Sequence, residues 1–212
     1  MRFSRNIEKI NMSKTAEVAD LALSLKEQGH KIVNMATGEL SFKPALSIRK
    51  EACRTIDEGE TLYTQVAGLK ELRNLISVKL KKDLKIEYKC DEIIVSNGGK
   101  QVIYNALQST INSGDEVIII SPYWVSYPEI IKLCGGRPKV LNTKRREGFS
   151  INTEKLEKLI TSKTKWIILN SPNNPTGVVY STEIIKKLVL VLRKYPDIWI
   201  LSDEIYEKLN FS

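Results

Sequence analysis

The chain has 212 residues, and its 42% hydrophobic content fits a globular protein with one substantial core. No apolar run is long enough to cross a bilayer, which excludes a transmembrane protein. The N-terminus lacks the apolar run and cleavage site of a secretory signal. The net charge of +8 comes from 33 basic and 25 acidic residues, and the basic residues are spread mostly in ones and twos. Because aromatic residues are not interleaved with them, the charge favours a solvated basic surface over a nucleic-acid platform.

Apolar periodicities of the helical and strand types alternate along the chain, which predicts an α/β architecture with a largely parallel sheet. In chain order, helices are expected over 15–28, 44–57 and 69–80, followed by a short strand over 92–96. A helix that opens at Gly98-Gly99 and a strand over 116–120 come next. Then follow strands over 139–141 and 166–169, a helix over 183–195 capped by Ser181 or Thr182, and a last strand over 198–201.

The three cysteines are odd in number and share no close spacing: Cys53, Cys90 and Cys134. This pattern predicts reduced thiols of a cytoplasmic protein, with neither a disulfide framework nor a metal site. The single histidine, His30, follows a glycine that is expected to end a helix, which argues against histidine-based catalysis.

Polar motifs follow two of the predicted strands, at the edge where open α/β sheets bind ligands. The first reads Asn170-Ser-Pro-Asn-Asn-Pro-Thr-Gly177, and the second reads Ser202-Asp-Glu-Ile-Tyr206. Asn174 precedes a proline, so its amide is free to project, although an Asx turn is the simpler interpretation. Asp203 is a candidate partner for a charged group, or else a helix cap.

Two further features are compatible with an anionic, planar ligand, although each alone is explained as well by local structure. Gly99 and Lys100 follow a predicted strand and open a helix, where backbone amides can seat a phosphate; Gly-Gly turns of no function are also common there. Trp124 follows another strand and can stack on a flat ring, or simply fill space beneath a loop bounded by prolines. Neither Gly-x-Gly-x-x-Gly nor Gly-Lys-Ser/Thr is present, which argues against a nucleotide site.

Together these motifs make the chain resemble the N-terminal part of a class I, pyridoxal-phosphate (PLP)-dependent aminotransferase of the aspartate aminotransferase family. The resemblance implies the α/β fold type I of PLP-dependent transferases. In that fold, the large domain has a mixed, mostly parallel sheet flanked by helices, and this domain would be incomplete here. Residues 1–44 would be an N-terminal arm and helix that pack with the small domain. Residues 45–212 would be the N-terminal part of the large PLP-binding domain, truncated.

The resemblance also assigns cofactor roles. Asp203 would keep the PLP ring nitrogen protonated, Tyr206 and Asn174 would bond the ring oxygen, and Trp124 would stack on the ring. Gly99 and Lys100 would belong to the turn that cradles the phosphate. Tyr63 matches the tyrosine that reaches the PLP phosphate of a partner subunit, which implies a homodimer.

Substrate roles follow from the same resemblance. Gly38 and Asn174 would bind the substrate α-carboxylate, and Trp124 would also contact the substrate. The segment that contains Gly38 departs from the family: the usual Gly-Glu-Pro-Asp-Phe reads Gly38-Glu-Leu-Ser-Phe42 here. The set that would bind a side-chain carboxylate consists of Ser13, Thr15 and Lys100. This set implies aspartate and glutamate with their 2-oxo acids, and transamination from aspartate to 2-oxoglutarate.

No lysine matches the family's Schiff-base lysine, which lies one strand beyond the position of Tyr206. Ser13-Lys14 and Ser162-Lys163 are upstream and in the wrong context, so no catalytic residue is assigned and the chain is expected to be an inactive, truncated form. In the family's sheet two later strands separate the strand expected at 92–96 from that at 198–201, so both would expose unpaired edges.

Three alternatives stay open at this stage. The first alternative to an aminotransferase is a non-catalytic module that binds PLP or pairs with a dimer partner. The second is a basic α/β domain that binds nucleic acid, and the third is a carbon–sulfur lyase on the same fold. The acidic-substrate set of Ser13, Thr15 and Lys100 argues against the lyase. The even spread of the basic residues argues against nucleic acid.

Overall fold

The computed structural model describes residues 4–36, 38–40 and 42–209. Within it, residues 15–98 form one compact unit, and the rest of the described chain forms the other. Thr37 and Ser41 lie outside the described residues, so the unusual Gly38–Phe42 sequence is described only at Gly38–Leu40 and Phe42. No helix of the described residues has the length and apolar character that a membrane span requires.

The unit of residues 15–98 is helical. It contains α1 (Lys14–Glu27), α2 (Leu46–Asp57) and α3 (Lys70–Leu84), followed by a 3-10 turn at Cys90–Glu92. The three helices expected from apolar periodicity are therefore confirmed.

The strand predicted over 92–96 is wrong. The chain is extended after the 3-10 turn, and Ile93 is buried, but no strand of the described residues pairs with this segment. Instead, the Val95 N–H donates to the carbonyl of Ala67 at 3.0 Å, a single loop contact. β-Branched composition favours an extended backbone, whereas a strand also needs a neighbour with which to form a ladder.

The second unit is built on a four-stranded sheet: β1 (Glu116–Ser121), β2 (Arg137–Asn142), β3 (Thr164–Asn170) and β4 (Trp199–Asp203). The strand order is β2-β1-β3-β4, and all three pairings are parallel. The parallel sheet expected from the sequence is confirmed. β4 pairs on one side only among the described residues, and its Trp199 and Ile200 are exposed, as predicted for the last strand.

Helices cover both faces of this sheet, in the α/β arrangement predicted. They are α4 (Gly99–Thr110), α5 (Ser126–Leu133), α6 (Thr153–Leu159) and α7 (Thr182–Leu192). α4 and α5 pack on one face against Val117 and Ile119, and α6 and α7 pack on the other against Ile118. Because these strand side chains are almost fully buried, each contributes about 1.5–3 kcal/mol to folding.

α5 and α6 were not predicted, because segments of eight and seven residues are too short to reveal a helical period. α7 was predicted, and its cap is now resolved: Ser181 accepts from the Ile184 N–H at 3.3 Å. The three cysteines are free, with Cys134 buried.

Candidate functional site

The site begins where β3 and β4 end. Asn170 and Asp203 are the last residues of these strands and lie opposite each other in the parallel register. Asn170 is only 4% exposed, and its Nδ2 donates to the Asp203 carbonyl at 2.9 Å. Its Oδ1 accepts from the Asn174 N–H at 2.7 Å. One buried amide therefore ties the two strand ends and the following loop together.

The loop after β3 is a tight turn organised by Asn173. Its Oδ1 accepts from the N–H and the hydroxyl of Thr176, at 3.2 and 2.8 Å. The Gly177 N–H donates to the Asn173 carbonyl at 2.8 Å, and Gly177 has φ of +72°, which glycine adopts without strain. The Asx-type role that was an alternative for Asn174 thus belongs to Asn173. Asn174 instead directs its Nδ2 to the Tyr206 hydroxyl, at 3.3 Å.

Asp203 is held by two donors. The Tyr127 hydroxyl donates to Oδ2 at 2.6 Å, and the Ile205 N–H donates to Oδ1 at 3.2 Å. Burial, and then the hydrogen bond to Asp203, raise the pKa of Tyr127 well above its ordinary value. Tyr127 therefore stays protonated at neutral pH and serves as a fixed donor to the carboxylate. Asp203 does cap a local turn through Ile205, but its second oxygen is bound from α5, 76 residues away.

Trp124 connects this carboxylate to α4. Its ring meets the Tyr127 ring edge-on, with centroids 5.4 Å apart and an interplanar angle of 87°. The Lys100 Nζ lies over the same indole, 5.3 Å from its centroid, within cation–π range. Trp124 is half-buried against the core beside α4 and α5, so it fills space there while part of its surface stays accessible.

The contacts join seven residues, which we call the carboxyl-edge cluster: Lys100, Trp124, Tyr127, Asn170, Asn174, Asp203 and Tyr206. Five of them were predicted as cofactor residues, and the structure brings all five together. Tyr127 and Asn170 were missed. Asn170 is the last strand residue before the loop, and Tyr127 lies three positions after Trp124 in the same polar and aromatic segment, so both positions carried a signal that could have been used.

Gly99 stands beside the cluster in sequence. It is the first residue of α4, next to Lys100, and a Cβ added to it would meet no atom within 4 Å. The preceding Gly98 has φ of +85°, which favours glycine at the turn into the helix. The open space lies at a helix N-terminus, where first-turn amides have no partner within the helix.

Ser13 and Lys100 line one surface groove of about 440 Å³, together with Tyr123 and Glu129. The other predicted substrate and phosphate residues, Thr15, Gly38 and Tyr63, belong to the unit of residues 15–98, where all three are exposed.

Within that unit the segment after Tyr63 is fixed by Arg73. Its guanidinium donates to the Gly68 carbonyl, the Cys90 carbonyl and the Gln65 Oε1, at 3.1, 2.9 and 2.7 Å. Tyr63 itself is fully exposed. The exposed Tyr63 side chain therefore lies next to a segment that Arg73 anchors by hydrogen bonds at Gln65 and Gly68.

A family model described as aminotransferase class I and II matches residues 30–212. Among curated proteins, the chain is 42% identical over 205 residues to a probable aspartate/prephenate aminotransferase of Rhizobium leguminosarum bv. phaseoli, covering 97% of this chain and 51% of that protein. It is also 42% identical to the aspartate/prephenate aminotransferase of Nitrosomonas europaea, covering 100% of this chain and 53% of that protein. The chain thus spans about half the length of these curated relatives.

Solved structures give the same picture. The structure described as aspartate aminotransferase from Thermus thermophilus with maleate superposes with a TM-score of 0.91 at 37% identity, covering 95% of this chain and 53% of that one. The aspartate aminotransferase from Rhizobium meliloti gives 0.92 at 36% identity, covering 98% and 52%.

Proposed function

This chain belongs to the class I and II aminotransferase family, and from that premise we propose that it forms the PLP-binding part of an aminotransferase for acidic amino acids. The observation that carries the proposal is the carboxyl-edge cluster. It holds a carboxylate, a phenol, an amide and an indole within one network of contacts at the end of a parallel sheet. The names of the curated relatives support the aminotransferase activity.

The donor set of the cluster fits PLP. PLP, when bound, supplies an electron sink for negative charge at the substrate Cα. Asp203 would hold the proton at the ring nitrogen, with its own orientation fixed by Tyr127. The Asn174 Nδ2 and the Tyr206 hydroxyl lie 3.3 Å apart, and both would bond the ring's phenolic oxygen. Trp124 would cover one ring face, and the open N-terminus of α4 at Gly99 would receive the phosphate.

We propose that the amino donor is aspartate and the acceptor 2-oxoglutarate. Ser13 and Lys100 line one groove, and this supports a hydroxyl and an ammonium that bond the same side-chain carboxylate. The related Thermus thermophilus enzyme is described with maleate, itself a dicarboxylate. Thr15 and Gly38 stay predictions as further substrate residues.

We also propose a homodimer, in which Tyr63 reaches the partner's PLP phosphate. The full exposure of Tyr63 and the anchoring of its segment by Arg73 support this role. The division of the intact enzyme at residue 44 stays a prediction. The 212 residues alone are proposed to be inactive, because none of their lysines matches the family's covalent lysine.

The test joins this chain to the C-terminal half of the Rhizobium leguminosarum relative and measures transamination to 2-oxoglutarate from aspartate, phenylalanine and alanine. Aspartate should be strongly preferred, and a clear preference for phenylalanine or alanine would refute the substrate assignment. The unfused chain, measured in parallel, should show no turnover.

Lys100→Ala examines the groove directly. Because a bond to a charged group is lost, we expect KM for aspartate to rise about 10–100-fold, with alanine little affected. Lys186→Ala, which removes an exposed lysine from α7, is the matched control and should change neither value. Equal weakening of all donors by Lys100→Ala would instead assign Lys100 to the phosphate seat.

A further inference from the structure

The N-terminal segment of the chain is fastened to α5. We call residues 4–14 the N-terminal strap; it contains a 3-10 turn at Ile7–Lys9. The Asn6 Nδ2 donates to the Leu133 carbonyl at 3.1 Å, and the Asn11 N–H donates to the Glu129 Oε2 at 2.8 Å. These bonds join residues 127 and 118 positions apart, so they are tertiary contacts that fix where the strap runs.

Glu129 is the ionic part of this attachment. It lies in the first turn of α5, and its second oxygen pairs with the Lys132 Nζ at 2.9 Å. Partial burial opposes ionisation, but the Asn11 N–H and the Lys132 ammonium together hold the pKa of Glu129 below its ordinary value. Glu129 is therefore ionised at neutral pH, and both of its oxygens have donors.

The strap forms one side of the groove described above. Asn11, Ser13 and Lys14 line it from the strap, Lys100 lines it from α4, and Glu129 lines it from α5. A carboxylate in a groove meant for an anion would normally repel the ligand. Here the negative charge of Glu129 is offset by Lys132, so Glu129 does not make the groove repel an anion, and the cationic Lys100 lines the same groove.

We propose that Glu129 is a positioning residue for substrate recognition: its carboxylate holds the strap on α5 and so keeps Ser13 in the groove that Lys100 lines. This inference rests on the proposed function, which assigns Ser13 and Lys100 to the side-chain carboxylate of an acidic substrate. Glu129 acts through Asn11, since both of its carboxylate oxygens are already bound by protein donors. A bond to an ionised acceptor is strong enough to choose between a docked and a released strap.

The experiment uses the full 212-residue chain labelled with ¹⁵N. It compares Glu129→Ala and Glu129→Gln with the control Glu154→Ala, which removes an acidic residue from the first turn of another helix, α6. Two quantities are measured: hydrogen exchange of the Asn11 amide, and binding of maleate relative to propionate. Glu129→Gln keeps an acceptor at nearly the same volume, so it remains informative if Glu129→Ala does not fold.

In Glu129→Ala we expect the Asn11 amide to exchange about tenfold faster or more, and maleate binding to weaken by a similar factor, as for loss of a hydrogen bond to a charged group. Propionate binding should hardly change, because one carboxylate does not need the strap. Glu129→Gln should recover part of both effects, and Glu154→Ala should show neither.

Unchanged Asn11 exchange in Glu129→Ala would overturn the proposal, and so would a released strap with unchanged maleate binding. Failure of the proposed function has a different signature. The unmodified chain would then bind maleate no better than propionate, which removes the acidic-substrate assignment, and with it the recognition role, even if Glu129 still controls Asn11 exchange.

Discussion

Replacing Tyr127 with Phe removes one hydroxyl from the centre of the site and little else. The Tyr127 side chain is 2% exposed, so Phe fills nearly the same volume in the same surroundings. What is lost is the 2.6 Å bond to the Asp203 Oδ2. Hydrogen bonds to charged groups contribute about 1.5–3 kcal/mol. Because Asp203 is only half-buried, water can replace part of the bond, and we expect unfolding free energy to fall by about 1–2 kcal/mol at pH 7.

The same variant should respond differently to alkali. The pKa of Tyr127 is raised in the folded state, first by burial and then by Asp203. Such a group stabilises the fold fully below the unfolded pKa of about 10, and this contribution declines as the pH rises above that value. Phe cannot ionise. The deficit of Tyr127→Phe at pH 7 should therefore shrink as the pH rises through about 10 and beyond.

Urea unfolding at pH 7 and at several values above pH 10 measures both effects. Tyr180→Phe is the matched control, since burial raises the pKa of Tyr180 to about 12. Tyr180→Phe should remove the fall in stability at high pH that ionisation of Tyr180 causes. It should not show the loss of unfolding free energy at pH 7 that comes from breaking a bond to Asp203. A Tyr127→Phe variant as stable as the unmodified chain at pH 7, or a deficit that stays constant to pH 11.5, would refute the reasoning.

Two further changes examine parts of the structure that the sequence did not reveal. Asn170→Ala should reduce the free energy of unfolding by about 1–3 kcal/mol, because both hydrogen bonds of this buried amide are lost and the half-buried Asn174 N–H loses its partner; urea unfolding checks this, with the exposed cap variant Asn152→Ala expected to cost only about 1 kcal/mol. Arg73→Lys should speed hydrogen exchange of residues 64–68, since one ammonium cannot reproduce three guanidinium bonds. Arg54→Lys, at an exposed ion-pair site in α2, should leave that exchange unchanged.

The ends of β3 and β4 were predictable, because the sequence marks where each buried strand stops and polar residues begin. β3 and β4 each read as an apolar run followed by polar residues, and a parallel register brings such ends to one edge. Asn174 and Asp203 could therefore be placed near each other from the sequence alone. The bond from Asn170 to the Asp203 carbonyl could not, because a backbone acceptor has no signature in the sequence.

The strand expected at 92–96 illustrates the opposite case. Its residues have strand composition, and Ile93 is buried, yet no strand of the described residues pairs with it. Strand composition reports that a segment fits a pleated, half-buried surface, while pairing depends on chain elsewhere. The attachment of the strap was equally invisible, since the Asn11 N–H and Glu129 are 118 residues apart.

α5 is the element on which both ends of the proposed site depend. Tyr127 and Glu129 are two positions apart, about 200° around a helix, so they leave α5 in nearly opposite directions. Tyr127 points into the core and binds Asp203, while Glu129 binds the strap at the surface. The buried side chains of Ile130 and Ile131 pack in the core and so fix the rotation of α5 about its own axis. A change that rotates α5 would therefore disturb the carboxylate proposed for PLP and the groove proposed for the substrate together.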